Sequence, residues 1–530
     1  MSPRLYRTEA SMMPVKFLHC SPSAYAKRVN PEMAHRSNPL KIVARLPSAK
    51  RGGIAGACHI AIGAAVQPQR FRLTLALESW SRVLLPAAPL KGQSLMSAKA
   101  VILVGGGSKG TRFRPLSFDL PKPLIPIAGK PMILHHLERL AQVPGLFEVI
   151  LLGFYDESLF SDFVQNASNH LGIGVRYLRE ESSLGTAGGI WRYRDAIRSG
   201  SPEVLFILHC DIASSFPLND MLAFHRKHGK PLTVLGKTVP PSGDARAYGC
   251  MVKHPDTCEL LHYVEKPETW VSNLINCGIY IATTGSFYEL LEKTCVECSR
   301  WALTENASGG SLFSVSESDC NHIRLEQDVI MHYEGRKVIY IYEHKDFWCQ
   351  IKEPAAALLA SKLYLEHYAE VHPEQLADHA YRPEALASRL FTKSTDDLGR
   401  GSVTMSSTSP TFVGAVFVHS TARVASSAKV GPNVSIGAGC VIGAGVRLQH
   451  CIILEDCVVR EHAYIANSII GWSSVIGPWA RVEGDGIESE AGRVSVLGSH
   501  VECDGGVVIR NCIVLPHKTL STSASGQIIL

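Results

Sequence analysis

From Val418 to Leu454 an aliphatic residue returns every six positions: Val418, Val424, Val430, Ile436, Ile442, Leu448 and Leu454. Small residues follow them, as in Ile436-Gly-Ala-Gly and Ile442-Gly-Ala-Gly. A hexapeptide period of this kind builds a parallel β-helix, in which each short strand sends one aliphatic side chain into the stack and glycine permits the tight corner. The pattern predicts such a domain over residues 412–530, with the phase slipping near Arg460 and resuming at Ile470, Ile476 and Val482. Solenoids bury apolar faces against neighbours, so the domain is expected to mediate assembly. His450 and His462 offer bases for acyl transfer, but a lone histidine at a corner reads more simply as a solvated side chain.

Upstream the rhythm is different. Short β-branched runs alternate with amphipathic stretches: Ala100–Val104, Met132–Gln142, Glu148–Gly153, Leu159–Ala167, Val175–Leu178, Gly189–Ile197 and Val204–Leu208. Buried strands alternating with helices predict a mostly parallel, doubly wound α/β sheet over residues 96–392. Closer-spaced strands at Leu232–Leu235, Cys250–Val252, Leu261–Val264 and Asn276–Ile281 suggest hairpins added to it, and a helix over Ala355–Glu370 closes the domain. Residues 393–411, rich in Ser and Thr, read as a flexible linker.

Charge is distributed unevenly. The chain carries +5 overall, but residues 1–95 hold fourteen Lys or Arg against three Asp or Glu, which leaves −6 for the rest. The body is therefore mildly acidic and implies no nucleic-acid surface. Residues 1–95 are expected to be a disordered basic extension, because Met96-Ser-Ala-Lys-Ala-Val-Ile-Leu has the form of a start just before a first strand. Fifteen scattered Cys suggest reduced thiols in the cytoplasm, and Cys295-Val-Glu-Cys298 lacks the second pair that zinc would need. The longest apolar run, Ile54 to Val66, is too short for a membrane span.

The first strand runs into Gly105-Gly106-Gly-Ser-Lys-Gly110-Thr111-Arg112-Phe-Arg114-Pro115, and Pro121-Lys122-Pro123 follows. A glycine loop lets backbone N–H groups approach a phosphate chain, while two arginines and a lysine held between prolines add positive charge toward the same anion. As a set this is more specific than the glycines alone.

These residues resemble the signature of the sugar-nucleotide pyrophosphorylases. Further pieces match in order: Leu184-Gly185-Thr186-Ala-Gly-Gly189, Leu208-His-Cys-Asp211, Tyr248-Gly249, Val264-Glu265-Lys266-Pro267 and Ile275-Asn276-Cys-Gly-Ile-Tyr280. The ending Val514-Leu-Pro-His-Lys518 is similar to that of the mannose-1-phosphate guanylyltransferases. The resemblance implies a Rossmann-like nucleotidyltransferase domain followed by a left-handed β-helix. It also implies a nucleotide site in which Glu180 accepts from guanine, Asp211 is a Mg²⁺ ligand, and Lys266 and Asn276 hold the sugar phosphate and the sugar.

Two departures bear on activity. Catalytic relatives hold Mg²⁺ with a second aspartate in a Trp-x-Asp-Ile-Gly segment, whereas this chain has Trp348-Cys-Gln350-Ile-Lys352. An amide is a poor substitute in a two-carboxylate site that must neutralise a triphosphate. The glycine loop is also two residues longer, which displaces the backbone donors. Both changes resemble the alpha, regulatory type of subunit, as opposed to the beta, catalytic type. The resemblance then implies a chain that binds GDP-mannose, assembles with itself and with a catalytic beta-type subunit, and mediates feedback inhibition in GDP-mannose biosynthesis. An active guanylyltransferase with an altered metal site, and a β-helix acyltransferase, are the competing readings.

Overall fold

The computed structural model describes residues 97–106, 111–118, 120–240, 243–307, 322–377, 409–486 and 492–530. The basic extension lies outside the described residues, as do Gly110, most of the linker segment and residues 487–491 of the acidic stretch after Val482.

Eight-residue strand β1 (Ala98–Gly105) sits at the centre of the α/β sheet, parallel to β2 (Leu146–Gly153) on one side and to β4 (Val204–His209) on the other. Strand β3 (Gly174–Arg179) continues the parallel set beyond β2. Side chains of β1 alternate: Ala98, Ala100, Ile102 and Val104 join one core, and Val101 joins another on the opposite face. Burial on both faces explains the near-continuous apolar run and requires helices on each side. Helices α1 (Met132–Ala141) and α2 (Ser161–Leu171) cover the first face, and α3 (Gly185–Arg192) covers the second.

Past β4 the sheet turns antiparallel. Strand β8 (Leu274–Thr283) pairs with β4 and with β5 (Leu232–Thr238). The hairpin of β6 (Gly249–Lys253) and β7 (Leu260–Glu265) extends from it, and β9 (Ile339–Glu343) adds a parallel edge against β5. The predicted strands are all present. Among the elements not expected from sequence are β9, α4 (Leu218–His228) and α5 (Thr284–Ala307). The predicted helix over Gly189–Ile197 breaks at Tyr193 into α3 and a short turn of helix over Arg194–Arg198.

The C-terminal part is a three-faced parallel β-helix. One face stacks Val430, Leu448, Ile465, Val482 and Ile509 in register, a second stacks Val418, Ile436, Ile453 and Ile470, and a third stacks Val424, Ile442, Val459 and Ile476. Their side chains form one internal core with corner residues such as Cys440, Val446 and Cys457. Two expectations need correction. The phase slip falls at the His450 corner, earlier than Arg460, because Ile453 and not Leu454 pairs with Ile436. Leu454 instead points out of the prism into the core of the α/β domain. Corners recur in the left-handed backbone region, with Asn433, His450, Asp456, His462 and Trp479 all at positive φ. His450 and His462 are thus corner residues, and the His462 ring stacks on Trp479 at 4.4 Å between centroids.

Helix α6 (Pro354–Val371) joins the two parts. Ala357, Leu358, Tyr364, Leu365 and Tyr368 share a single core with Ile452, Leu454, Ile469, Trp472 and Val496 of the β-helix. Asn433 Nδ2 donates to Glu366 Oε1 at 3.3 Å, and the Phe417 ring presses so closely on Gly129, itself at φ 81°, that no side chain would fit there. One flank of the solenoid, expected to meet other subunits, is therefore covered by the chain's own α/β domain. Among the described residues no helix is long and apolar enough to cross a membrane.

Candidate functional site

All of the sequence-derived ligands that can be described lie along the carboxyl edge of the sheet or in loops beside it, where ligands of open α/β folds bind. Gly105 ends β1 at φ 73° with open space over its Cα, and Gly106 is held against Phe154, where a Cβ would lie 2.7 Å from that residue's own Cβ. Thr111 and Arg112 form a short 3₁₀ turn with exposed side chains. The Arg114 guanidinium lies over the exposed Phe118 ring, 5.0 Å from its centroid.

Glu180, just beyond β3, is buried, and its carboxylate rests against Gly189 of α3. Any Cβ at 189 would run into Oε1, so the second glycine of the Ala-Gly-Gly run makes room for the carboxylate proposed to read guanine. The Leu-Gly-Thr loop is less open than its resemblance suggested. Gly185 is packed against the Ile323 backbone, and the Ile323 carbonyl accepts from the N–H groups of Ala187 at 2.9 Å and Gly188 at 3.1 Å. These are first-turn donors of α3, which a phosphate would otherwise find available. Thr186 Oγ1 is likewise engaged, donating to Glu326 Oε2 at 2.8 Å and accepting from Leu325 N–H at 2.7 Å.

Glu326 is the hub of a buried polar chain. Its Oε1 accepts from Tyr280 Oη at 3.0 Å and lies 3.1 Å from His209 Nε2. Asn276 Nδ2 donates to Tyr280 Oη at 2.9 Å and to Tyr263 Oη at 3.2 Å, while its Oδ1 accepts from Gly278 N–H at 2.9 Å. Tyr263 in turn donates to Glu265 Oε2 at 2.7 Å. Gly249, paired across the hairpin with Glu265, has no space for a side chain, because a Cβ would lie 2.8 Å from Glu265 Oε2. Burial would raise the Glu326 pKa, but the His209 and Thr186 contacts outweigh it and hold the carboxyl at about 2. Burial alone would lower the His209 pKa, yet Glu326, Asp211 and Glu265 raise it above its ordinary value, which favours the charged form beside Glu326.

Asp211 follows β4 and opens a short strand, Ile212–Ser214, that pairs antiparallel with Trp348–Gln350. The pairing sets Gln350 opposite Ile212, and Ile351 N–H donates to the Asp211 carbonyl at 2.8 Å. Tyr364 of α6 backs this hairpin, its hydroxyl 3.4 Å from Ser214 N–H. The Gln350 side chain hydrogen-bonds the Asp211 carboxylate, and Lys122 Nζ lies 3.4 Å from Asp211 Oδ2. Burial would raise the Asp211 pKa, but Lys122, His209 and the Gln350 hydrogen bond together hold it below the usual carboxylate value. Lys122 thus lies toward one Asp211 oxygen, and an amide stands beside the carboxylate. Among the described residues no three His, Cys, Asp or Glu side chains converge to hold a metal ion. With Gln350 where the resemblance implied a second aspartate, Asp211 is the one carboxylate of the pair left, a weaker donor set for Mg²⁺ than two carboxylates.

Lys266 sits at φ 48° at the end of β7, its Nζ 3.2 Å from Glu265 Oε1. Lys352, two residues beyond Gln350, projects over the Tyr248 ring at 5.2 Å. Its pKa is depressed by partial burial and then by the charges of Lys266 and Arg112. Arg112, Asp211, Glu265 and Lys266 all lie near enough to Lys352 to act on its charge, and Lys122 and Gln350 adjoin Asp211. His209 and Tyr280 lie inside segments that carry the resemblance and Lys352 in the segment that departs from it, none of the three with a role read from sequence; Glu326 lies in no such segment.

The fold and site define a nucleotidyltransferase-type α/β domain with a β-helix appended. A nucleotidyl transferase family model matches residues 99–306, and a GMPPB C-terminal domain model matches residues 412–529. The mannose-1-phosphate guanylyltransferase regulatory subunit alpha of Dictyostelium discoideum is 42% identical, covering 82% of this chain and 99% of that protein. The protein of the same name from Papio anubis is 44% identical, and mannose-1-phosphate guanyltransferase alpha-A of Xenopus laevis is 43% identical, each over 82% of this chain and 100% of the relative. The chain belongs to the family of mannose-1-phosphate guanylyltransferase regulatory alpha subunits.

Proposed function

We propose that the chain binds GDP-mannose at the carboxyl edge of the sheet and relays that occupancy to a catalytic beta-type guanylyltransferase subunit as feedback inhibition. The observation that carries this reading is Gln350, set by strand pairing opposite Ile212 and so beside Asp211, in place of a second carboxylate. Phosphoryl transfer from a triphosphate depends on cation clamps that neutralise the developing charge. A site whose single aspartate already faces an amide and Lys122 supplies binding without that clamp. Gly105, Gly106, Arg112, Lys122, Glu180, Asn276 and Gln350 are the residues assigned to the ligand, with Glu180 accepting from guanine.

Feedback requires that the ligand bind two conformations differently. One route is the acidic stretch after Val482, which interrupts the prism where Glu483 is pinned by Arg481 at 2.7 Å and Arg510 at 2.8 Å. The test is calorimetry of the purified chain with GDP-mannose, followed by turnover of GTP and mannose 1-phosphate with and without the catalytic partner. Binding, negligible turnover alone and partner inhibition by GDP-mannose support the reading. Turnover by this chain alone at the level of a catalytic subunit overturns it, as does absence of binding at millimolar ligand.

A further inference from the structure

Neighbouring charges at the pocket mouth are unevenly balanced. Among the described residues immediately around Lys352, Arg112, Lys122, Lys266 and Lys352 itself supply four cations, and Asp211 and Glu265 supply two carboxylates. His209 and the Glu326 carboxylate face one another within the interior, 3.1 Å apart. Lys352 is held in place by more than its own flexibility. The antiparallel pairing of Trp348–Gln350 with Ile212–Ser214 fixes the backbone beside Asp211, Ile351 N–H ties that backbone to the Asp211 carbonyl at 2.8 Å, and the Tyr248 ring supports the ammonium from beneath. Next to it, Lys122 lies 3.4 Å from Asp211 Oδ2, and Gln350 stands where a second carboxylate would be.

We infer that Lys352 is the built-in counter-charge of this pocket, so that the chain binds the diphosphate of a nucleotide sugar without any divalent metal. A nucleotide sugar carries a single negative charge on each of two esterified phosphates, and an excess of two cations in a partly dehydrated mouth matches it. A nucleoside triphosphate has a further, terminal phosphate, and that excess charge is what a metal neutralises in transfer enzymes. The metal-free pocket therefore favours the diphosphate sugar over the triphosphate. The Lys352 pKa is lowered first by burial and then by Lys266 and Arg112, and an arriving anion would relieve the repulsion among these cations. The inference rests on the ligand class proposed above but concerns the charge that holds it.

The experiment is titration calorimetry of the full chain with GDP-mannose, once in EDTA and once in excess Mg²⁺. The expected affinities agree within about twofold, and Lys352→Met weakens binding at least about tenfold, near the lower end of what a charge-assisted hydrogen bond contributes. Lys352→Arg, which keeps the charge, stays within about threefold of the native chain. Affinity that rises more than about tenfold on adding Mg²⁺, or Lys352→Met binding as the native chain does, overturns the inference. If GDP-mannose does not bind under either condition, inorganic pyrophosphate is the second probe. Metal-free pyrophosphate binding that is lost in Lys352→Met upholds the charge assignment while removing GDP-mannose as the ligand. Pyrophosphate binding that needs Mg²⁺, or no binding at all, overturns the assignment as well.

Discussion

Replacing Glu326 by alanine removes a carboxylate that four other groups depend on. Thr186 Oγ1 and Tyr280 Oη lose their acceptor, His209 loses its counter-ion, and the Leu325 turn that rests on Thr186 loses its anchor. Two routes give the size of the effect. The carboxyl is held at about 2 against an ordinary 4.5, which corresponds to roughly 3 kcal/mol favouring the ionised form in the fold. Removing one member of a buried ion pair typically costs about 3–5 kcal/mol, because the other charge is left unpaired. Urea denaturation at pH 7 is expected to show Glu326→Ala destabilised by about 3 kcal/mol, and Glu326→Gln, which can still accept from Tyr280, by about half as much. The pH dependence follows from the two shifts. Glu326, with its pKa lowered, stabilises the fold above 4.5 and loses that contribution as pH falls through about 2. His209, with its pKa raised, stabilises fully below 6.5 and loses its contribution as pH climbs through the folded value. The gap between native chain and Glu326→Ala is therefore widest between pH 4.5 and 6.5. A midpoint for Glu326→Ala within about 1 kcal/mol of the native chain in that window would refute the hub assignment.

Further outcomes follow from other contacts. Gly189→Ala must push the Glu180 carboxylate aside; GDP-mannose affinity measured by calorimetry is expected to fall about tenfold or more while stability drops by about 1–3 kcal/mol, and unchanged affinity would separate Glu180 from guanine recognition. Gln350→Asp puts a second carboxylate beside Asp211, so an isotope-exchange assay with Mg²⁺ is expected to register a rise in transfer from a near-zero baseline; no rise would show that the missing carboxylate is not the sole defect. Trp472→Ala at the α6 seam leaves a cavity and is expected to cost about 3–5 kcal/mol in denaturation, and a cost under about 1 kcal/mol would show that the seam yields easily. Deleting Asp485–Ala491 and assaying inhibition of the catalytic partner by GDP-mannose is expected to weaken feedback; undiminished feedback would send the signal through the β-helix instead.

Periodic features were legible because each reports a single local geometry. Six-residue spacing marks the rungs that run through Val424, Ile442 and Val459, and β-branched runs mark the strands β1, β2 and β4. The exact phase was not legible: one residue fewer at the His450 corner moves Leu454 outward, and a hydrophobic residue looks the same whether it faces the prism or α6. Strand β9 has the alternation Ile339-Tyr-Ile-Tyr that would have revealed it. The carboxyl-edge residues were readable from short motifs because backbone geometry there dictates glycine, proline and charge. The Glu326 hub was not, since its partners Thr186, His209 and Tyr280 come from three distant segments and only folding brings them together. For the same reason the engagement of Gly185 and Thr186 by residues 323–326 could not be seen in the Leu-Gly-Thr loop itself.

Helix α6 has a consequence for how the chain lives and dies as a molecule. Since Leu365 and Tyr368 belong to the same core as Ile469 and Val496, neither the α/β part nor the prism owns a finished surface along that seam. Cutting the polypeptide in the Ser- and Thr-rich stretch before Thr411 would leave two halves, each with a raw apolar flank prone to self-association. The intact chain should melt as one cooperative unit, so damage to a distant rung would lower the survival of the pocket without touching any residue in it.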